Sequence, residues 1–353
     1  MKISCELKEV DNVAESSTND KRLYIRSDIL KSSDILFSEF MGYYERSKRE
    51  SGLLTYEPSI GINTLDNIVE VKNDISDFTN MMDFLASKLS ISENVFDSED
   101  ELDIESSFGN FLELPWEKIT PKNVCVIRKI PTEKTNFPEQ INNLMFIISS
   151  SNVSANGEMS DLKDKLKSEI LKAIDQVIQS APKYFKVNNV AIAKHTTKES
   201  FGSLPWESYN YIHIIMHGDE NGGLCLESME IDKYKIQDVM NIEEALDVLN
   251  DKKFLLSFLS FCYSGGGLID NKNSLAFHLV NRGISKYAIG YRHGVGEDSA
   301  LNFSEIFYRI LLNGSNSGRN NNKIEEVYKK SLLEYNEKSG LNNRYTPILY
   351  TNT

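Results

Sequence analysis

From residue 124 onward, apolar residues fall in short unbroken runs separated by stretches of helical period. Phe254–Ser260 (FLLSFLS) is one such run, with Lys252 and Lys253 before it and Gly265, Gly266 and Gly267 shortly after it. That pattern predicts a fully buried central strand of a parallel sheet. Residues 124–130, 144–148 (LMFII), 187–193, 211–216 (YIHIIM), 287–291 and 346–350 read as further strands. A long helix is expected from Ser160, where Leu162, Leu166, Ile170, Ile174 and Val177 make one apolar stripe. Residues 242–249, 274–281, 299–312 and 324–335 read as shorter helices. Strands alternating with helices predict an α/β fold: a doubly wound, mostly parallel sheet flanked by helices, with right-handed crossovers.

The first hundred residues are patterned less clearly. Residues 1–20 are polar and expected to be loose, 21–29 fit a strand, and 33–48 fit a short helix capped by Ser33 or Asp34. A strand is expected at 67–71. Residues 76–89 are a better helix, with Phe78, Met81, Met82, Leu85 and Leu89 at helical spacing. The acidic stretch 97–105 (DSEDELDIE) reads as a solvated linker or hairpin, with a regulatory acidic segment as the other reading. Residues 313–322 (NGSNSGRNNN) should form a mobile loop. No internal repeat stands out.

Composition narrows the class. With 353 residues and 40% hydrophobic content, the chain can bury a substantial core. A net charge of −13 and no basic block argue against a nucleic-acid groove. The N-terminus has no apolar signal core, and no stretch approaches the roughly 20 apolar residues of a membrane span. Four cysteines (Cys5, Cys125, Cys225, Cys262) show no CxxC spacing, so a reduced, cytoplasmic protein is expected.

The strand at 254–260 delivers Cys262 to the carboxyl edge of the sheet, where open α/β sheets bind ligands. The strand at 211–216 ends in His217-Gly218-Asp219. Neighbouring strands of this kind place an imidazole beside a thiol, the arrangement in which the base takes the proton of the nucleophile. The N–H groups of Gly218 and Cys262 are placed to hold an oxyanion. A buried free cysteine on its own is usually inert, so the weight lies on the pair. Cys125 and Cys225 read as packing residues, and Cys5 falls in the loose N-terminus. A metal shared by His213 and His217 is the rival. Four residues of strand span about 13 Å, too far for two ligands of one ion, so no metal is expected. His213 is then a satisfied core or interface histidine, and His195 and His278 have no partner in the sequence. His293 either lines the cleft or lies on the surface.

The blocks YIHIIMHGDENGGLCLES and FLLSFLSFCYSGGG resemble the His-Gly and Cys blocks of the caspase-like cysteine peptidases of clan CD, in their CHAT domain branch. LPWE at 114–117, GYRHGVGEDSALNFSEIFYRILLNG at 290–314 and IEEVYKKSL at 324–332 follow the same order and spacing. Where many relatives carry Trp after the fifth strand, this chain has Tyr291. The resemblance covers residues from about Ser106 to the C-terminus and implies a peptidase domain at 106–353. Residues 1–105 form an unassigned region, regulatory or partly integrated in the sheet. It implies an endopeptidase with Cys262 as nucleophile and His217 as base, no cofactor, and one dedicated protein substrate, in bacterial (including antiviral) defence or programmed death. An activating or inhibitory protein partner is expected, without direct nucleic-acid or membrane contact. In this architecture the loop after residue 291 walls the pocket for the side chain preceding the cut. Glu297 and Asp298 there either select a basic side chain or cap the following helix. Asp219 either shapes the cleft or holds its own turn. A catalytically silent caspase-like scaffold is the alternative to the peptidase, and a small-molecule thiol acyltransferase is a third.

Overall fold

A computed structural model describes residues 1–9, 21–28, 32–50, 79–91, 96, 101–121, 123–132, 135–139, 143–149, 189–194, 196–219, 221–227, 238–266, 274–292, 294–295, 297–313, 324–339 and 347–353. The strand expected at 67–71, the helix from Ser160 and all but the first residue of the loop at 313–322 lie outside these residues. The chain divides into two compact units, one built on Met1–Pro131 and the other on Thr132–Gly267 and Ser274–Asn352.

The first unit corrects the reading of the N-terminus. Residues 2–9 are not loose. Strand β1 (Lys2–Glu9) pairs antiparallel with β2 (Lys21–Ser27), which pairs antiparallel with β3 (Ser33–Leu36). On its other side β1 runs parallel to β4 (Glu101–Ser106), and β4 parallel to β5 (Cys125–Ile130). The order is β3-β2-β1-β4-β5. The cause is a period of two that the flanking charges disguise: Ile3 and Cys5 are buried while Lys2 and Glu6 face out.

The described part of the acidic stretch, residues 101–105, behaves in the same way and is strand rather than linker. Leu102, Ile104 and Ser106 of β4 are buried, which leaves the acids on the other face. There Asp103 meets Lys129 at 2.6 Å and Glu105 meets Lys2 at 2.8 Å. Helix α1 (Phe37–Glu50) starts four residues later than its pattern predicts, because residues 33–36 complete the sheet instead. Helix α2 (Thr79–Leu89) buries Met81, Met82, Leu85 and Leu89, as its spacing predicts.

The second unit is the doubly wound, mostly parallel sheet. Strands β6 (Asn143–Ile148), β7 (Asn189–Lys194), β8 (Tyr211–Ile215), β12 (Phe254–Ser260) and β13 (Ser285–Tyr291) run parallel. Strand β14 (Pro347–Asn352) closes antiparallel on β13, giving the order β14-β13-β12-β8-β6-β7. All of β12 is buried, as a central strand must be. A separate small sheet holds β9 (His217–Gly218), β10 (Leu224–Leu226) and β11 (Asp238–Met240). Helices α5 (Ile242–Leu249), α6 (Leu275–Asn281), α7 (Glu297–Asn313) and α8 (Ile324–Ser339) complete the unit. Asn241 and Glu244 form a reciprocal capping box on α5, and Ser274 caps α6.

One repeat does exist. The heptapeptide Phe-x-x-Leu-Pro-Trp-Glu occurs at residues 111–117, overlapping α3 (Gly109–Leu112), and again at 201–207, overlapping α4 (Lys198–Gly202). The copies fold alike, with Pro115 at φ −77°, ψ 67° and Pro205 at φ −79°, ψ 63°. Trp116 Nε1 donates to the Phe111 carbonyl at 2.9 Å, and Trp206 Nε1 to the Phe201 carbonyl at 3.1 Å. Each indole meets its phenylalanine edge-on with ring centroids 4.9 Å apart. Each glutamate then holds a base: Glu117 the buried Arg128 of β5, Glu207 the Lys252 that precedes β12.

Candidate active site

The site is made where β8 and β12 end. After Ser260 the chain turns sharply, and Tyr263 takes a left-handed conformation (φ 60°), strained for a residue with a Cβ. The turn is locked from below. Ser264 Oγ has the Leu259 and Phe261 carbonyls at 2.9 and 2.7 Å, and it accepts the Tyr291 N–H at 2.9 Å. The Gly265 N–H donates to the Tyr291 carbonyl at 2.8 Å, and Tyr350 Oη donates to the Gly265 carbonyl at 2.9 Å. Only glycines fit here. A Cβ on Gly265 would lie 2.6 Å from the Gly290 carbonyl carbon, and one on Gly290 would lie 2.7 Å from the Gly265 nitrogen.

The histidine arrives differently from its sequence reading. It does not end the buried strand: β8 stops at Ile215, the Met216 N–H bonds the Ser260 carbonyl at 3.4 Å, and His217 opens β9. There His217 pairs with Cys225 and Gly218 with Leu224. Gly218 lies directly on the main chain of Cys262, since a Cβ on it would fall 2.3 Å from the Cys262 carbonyl oxygen and 3.1 Å from the Cys262 nitrogen. Gly218, the neighbour of His217 in β9, therefore meets Cys262 at the carboxyl edge of the sheet. His217 and Cys262 are both partly accessible.

Burial pushes the Cys262 thiol above its ordinary acidity value, and the N–H groups of Val295, Gly218 and Cys262 itself pull it down in part. The Val295 N–H lies 3.4 Å from Sγ, and the thiol faces the Val295 carbonyl at 3.8 Å. Sequence reasoning missed Val295 because its contribution is made by the main chain, which no side-chain pattern reports. A thiol raised in this way needs a base to become a nucleophile.

Asp219 holds its turn. Its Oδ1 accepts the Gly223 N–H at 2.5 Å and the Asn221 N–H at 3.0 Å. Glu297 and Asp298 occupy the first turn of α7, and their side chains, like the whole of His293, lie outside the described residues. Arg292, which the sequence reading passed over, is buried just after β13, with Gly266 packed against its Cα and Cγ. Cys225 sits across from His217, and burial pushes its thiol up to about 11, with Asp219 and Cys262 adding to the shift.

His213 is a satisfied core histidine. Its Nε2 bonds Ser260 Oγ at 2.8 Å and its Nδ1 bonds Tyr308 Oη at 2.7 Å, while Tyr308 Oη also meets Tyr211 Oη at 2.5 Å. The ring stacks on Phe258 at 4.4 Å. With both nitrogens occupied, His213 has no lone pair for a metal shared with His217. Tyr291 Oη is buried beside Ser260, short of a well-formed hydrogen bond to it. Among the described residues no group of three or more His, Cys, Asp and Glu side chains is arranged to hold a metal, and no helix is long and apolar enough to cross a membrane.

No family model matches the chain, and no curated protein matches its sequence. Solved structures do. The separase of the Saccharomyces cerevisiae separase–securin complex aligns with 16% identity and a TM-score of 0.41 over 89% of this chain, which spans 22% of that protein's length. The Arg-specific cysteine proteinase gingipain R aligns with 9% identity and a TM-score of 0.46, covering 89% of this chain and 75% of that one. The complex of Porphyromonas gingivalis RgpB pro- and mature domains aligns with 11% identity and a TM-score of 0.43, covering 89% and 76%. At TM-scores below 0.5, these likenesses fix neither activity nor substrate for this chain.

Proposed function

We propose that the chain is a cysteine endopeptidase of the caspase-like type, in its CHAT domain branch. One observation carries the reading: the His-Gly pair of β9 lies with its glycine against the main chain of Cys262, at the carboxyl edge of a parallel sheet. His217 takes the Cys262 proton as sulfur attacks the peptide carbonyl, then returns it to the leaving amine. The N–H groups of Gly218 and Cys262 hold the oxyanion, and water hydrolyses the thioester. This chemistry calls on no metal or organic cofactor.

Residues 106–353 are the peptidase in this reading and 1–105 the controlling region, where an activating or inhibitory protein docks. The substrate is one dedicated protein in the cytoplasm, cut in bacterial defence or programmed death. Glu297 and Asp298 at the start of α7 favour a basic residue before the cut. The buried Arg292 beside Gly266 favours a second reading, an acidic residue there. A catalytically silent scaffold has no need of an accessible thiol beside a His-Gly pair.

The test is covalent capture. Peptidyl acyloxymethyl ketones with Arg, Asp or Leu at the reacting end are incubated with the full chain and the adduct is mapped by mass spectrometry. A single adduct on Cys262, lost in His217→Ala, supports the dyad, and the reactive probe separates the basic from the acidic pocket. Labelling of Cys262 unchanged by His217→Ala would remove the base from the mechanism.

A further inference from the structure

We propose that the main-chain N–H of Val295 is a working part of the nucleophile: it holds the Cys262 thiolate formed when His217 takes the thiol proton. This inference rests on the cysteine peptidase reading and adds a donor from a third segment of the chain. The Val295 N–H is 3.4 Å from Sγ, within reach of an N–H···S hydrogen bond, and it comes from the connection between β13 and α7. In the resting thiol the S–H proton faces the Val295 carbonyl at 3.8 Å, a long contact that holds it weakly. When that proton moves, the S–H bond breaks, an N–H bond forms on His217, and the electron pair stays on sulfur. Sulfur is then only an acceptor, and a fixed N–H facing it makes a charge-assisted bond stronger than the neutral one before it.

The helix that follows the donor in sequence is packed on the same core that carries the dyad. Val295 leads into α7, and Tyr308 of α7 is bonded to His213 Nδ1 on β8 at 2.7 Å. Phe307 of the same helix packs edge-on against Phe258 of β12, with ring centroids 5.4 Å apart. The strand that leads to the histidine, the strand that leads to the cysteine and the helix behind Val295 are thereby held to one another. A donor that does not reorganise as charge appears is the kind that lowers a barrier.

The experiment follows alkylation of Cys262 by iodoacetamide in the full chain, read by mass spectrometry from pH 6 to 11. Val295→Ala keeps the N–H and is expected to titrate as the wild type does. Val295→Pro removes the N–H and is expected to move the midpoint up by about one unit, slowing alkylation roughly tenfold on the acid side. Replacing the Val295 amide by an ester, with 2-hydroxyisovalerate encoded at that position, removes the N–H while keeping the side chain, so it decides the matter if the proline variant fails to fold. A wild-type midpoint in the ester variant would overturn the proposal, because a merely structural contact leaves thiol acidity unmoved. No peptide substrate enters this assay, so the two readings fail separately. An unshifted midpoint alongside peptide turnover removes only the donor, and a chain that turns over no peptide is judged by the capture experiment instead.

Discussion

Gly218 and Tyr263 are the positions where the site depends on backbone geometry, and each makes a sharp prediction. In Gly218→Ala the new Cβ would meet the Cys262 carbonyl oxygen at 2.3 Å, so β9 or the cysteine turn must move. A displacement near 1 Å at reacting groups costs about 100-fold in rate, and that loss of turnover is expected in a chain that still folds by circular dichroism. Tyr263 is held at φ 60°. Tyr263→Gly should therefore be more stable than Tyr263→Ala by about 1 kcal/mol in urea titrations, because only alanine retains the strain. Equal stability of the two would mean that the turn relaxes. Cys262 and His217 stand out in the sequence because each follows an apolar run and has glycine shortly after it. Val295 and Tyr308 were not: one acts through its N–H, and the other meets His213 across 95 residues.

The turn after β12 works as an element through Ser264. Ser264→Ala leaves the buried Tyr291 N–H without its acceptor and removes one of the two hydrogen bonds between the cysteine turn and Tyr291, the Gly265 N–H keeping the other. A loss of about 1–3 kcal/mol is expected, together with reduced turnover, and Ser264→Thr will not rescue it if the site tolerates no added methyl. Unchanged turnover in Ser264→Ala would show that the turn is held by its glycines alone. The main-sheet strands of the second unit could be read within a few residues, since β12 and its neighbours are apolar on both faces, whereas β9, β10 and β11 gave no such run. The first unit, where β2 and β5 were expected, hid β1 and β4 for the opposite reason. In β1 and β4, buried residues alternate with Lys and Glu, so mean polarity suggested loose chain where period two gave sheet. Residues 33–36 show a further limit: the next residues are good helix, and only pairing with β2 makes these four a strand. The repeated Phe-x-x-Leu-Pro-Trp-Glu was present in the letters throughout, and its meaning came from the matching indole hydrogen bonds.

Over the whole molecule, buried titrating groups define a stability window in pH. Burial drives Cys5 up to about 12 and Cys225 to about 11, so these thiols bind protons more tightly folded than unfolded. Their contribution is full below the unfolded thiol value of about 8.5 and is lost as pH rises towards those folded values. His213 has the opposite sign. Burial holds it down to about 3, so its contribution is full above the unfolded value of about 6.5 and is lost as pH falls towards 3. Urea midpoints should be highest between roughly pH 6.5 and 8.5, with an alkaline limb that flattens in Cys5→Ala. A limb of unchanged slope in that variant would place the alkaline loss elsewhere.

The central claim is that a Cys262–His217 pair cuts peptides. It is tested most directly by turnover of a fluorogenic panel with varied residues before the cut, on wild type, Cys262→Ala and His217→Ala together. The account predicts turnover by wild type alone, with a preference for Arg or Lys if Glu297 and Asp298 form the pocket and for Asp if Arg292 does. Turnover that survives in Cys262→Ala would contradict it.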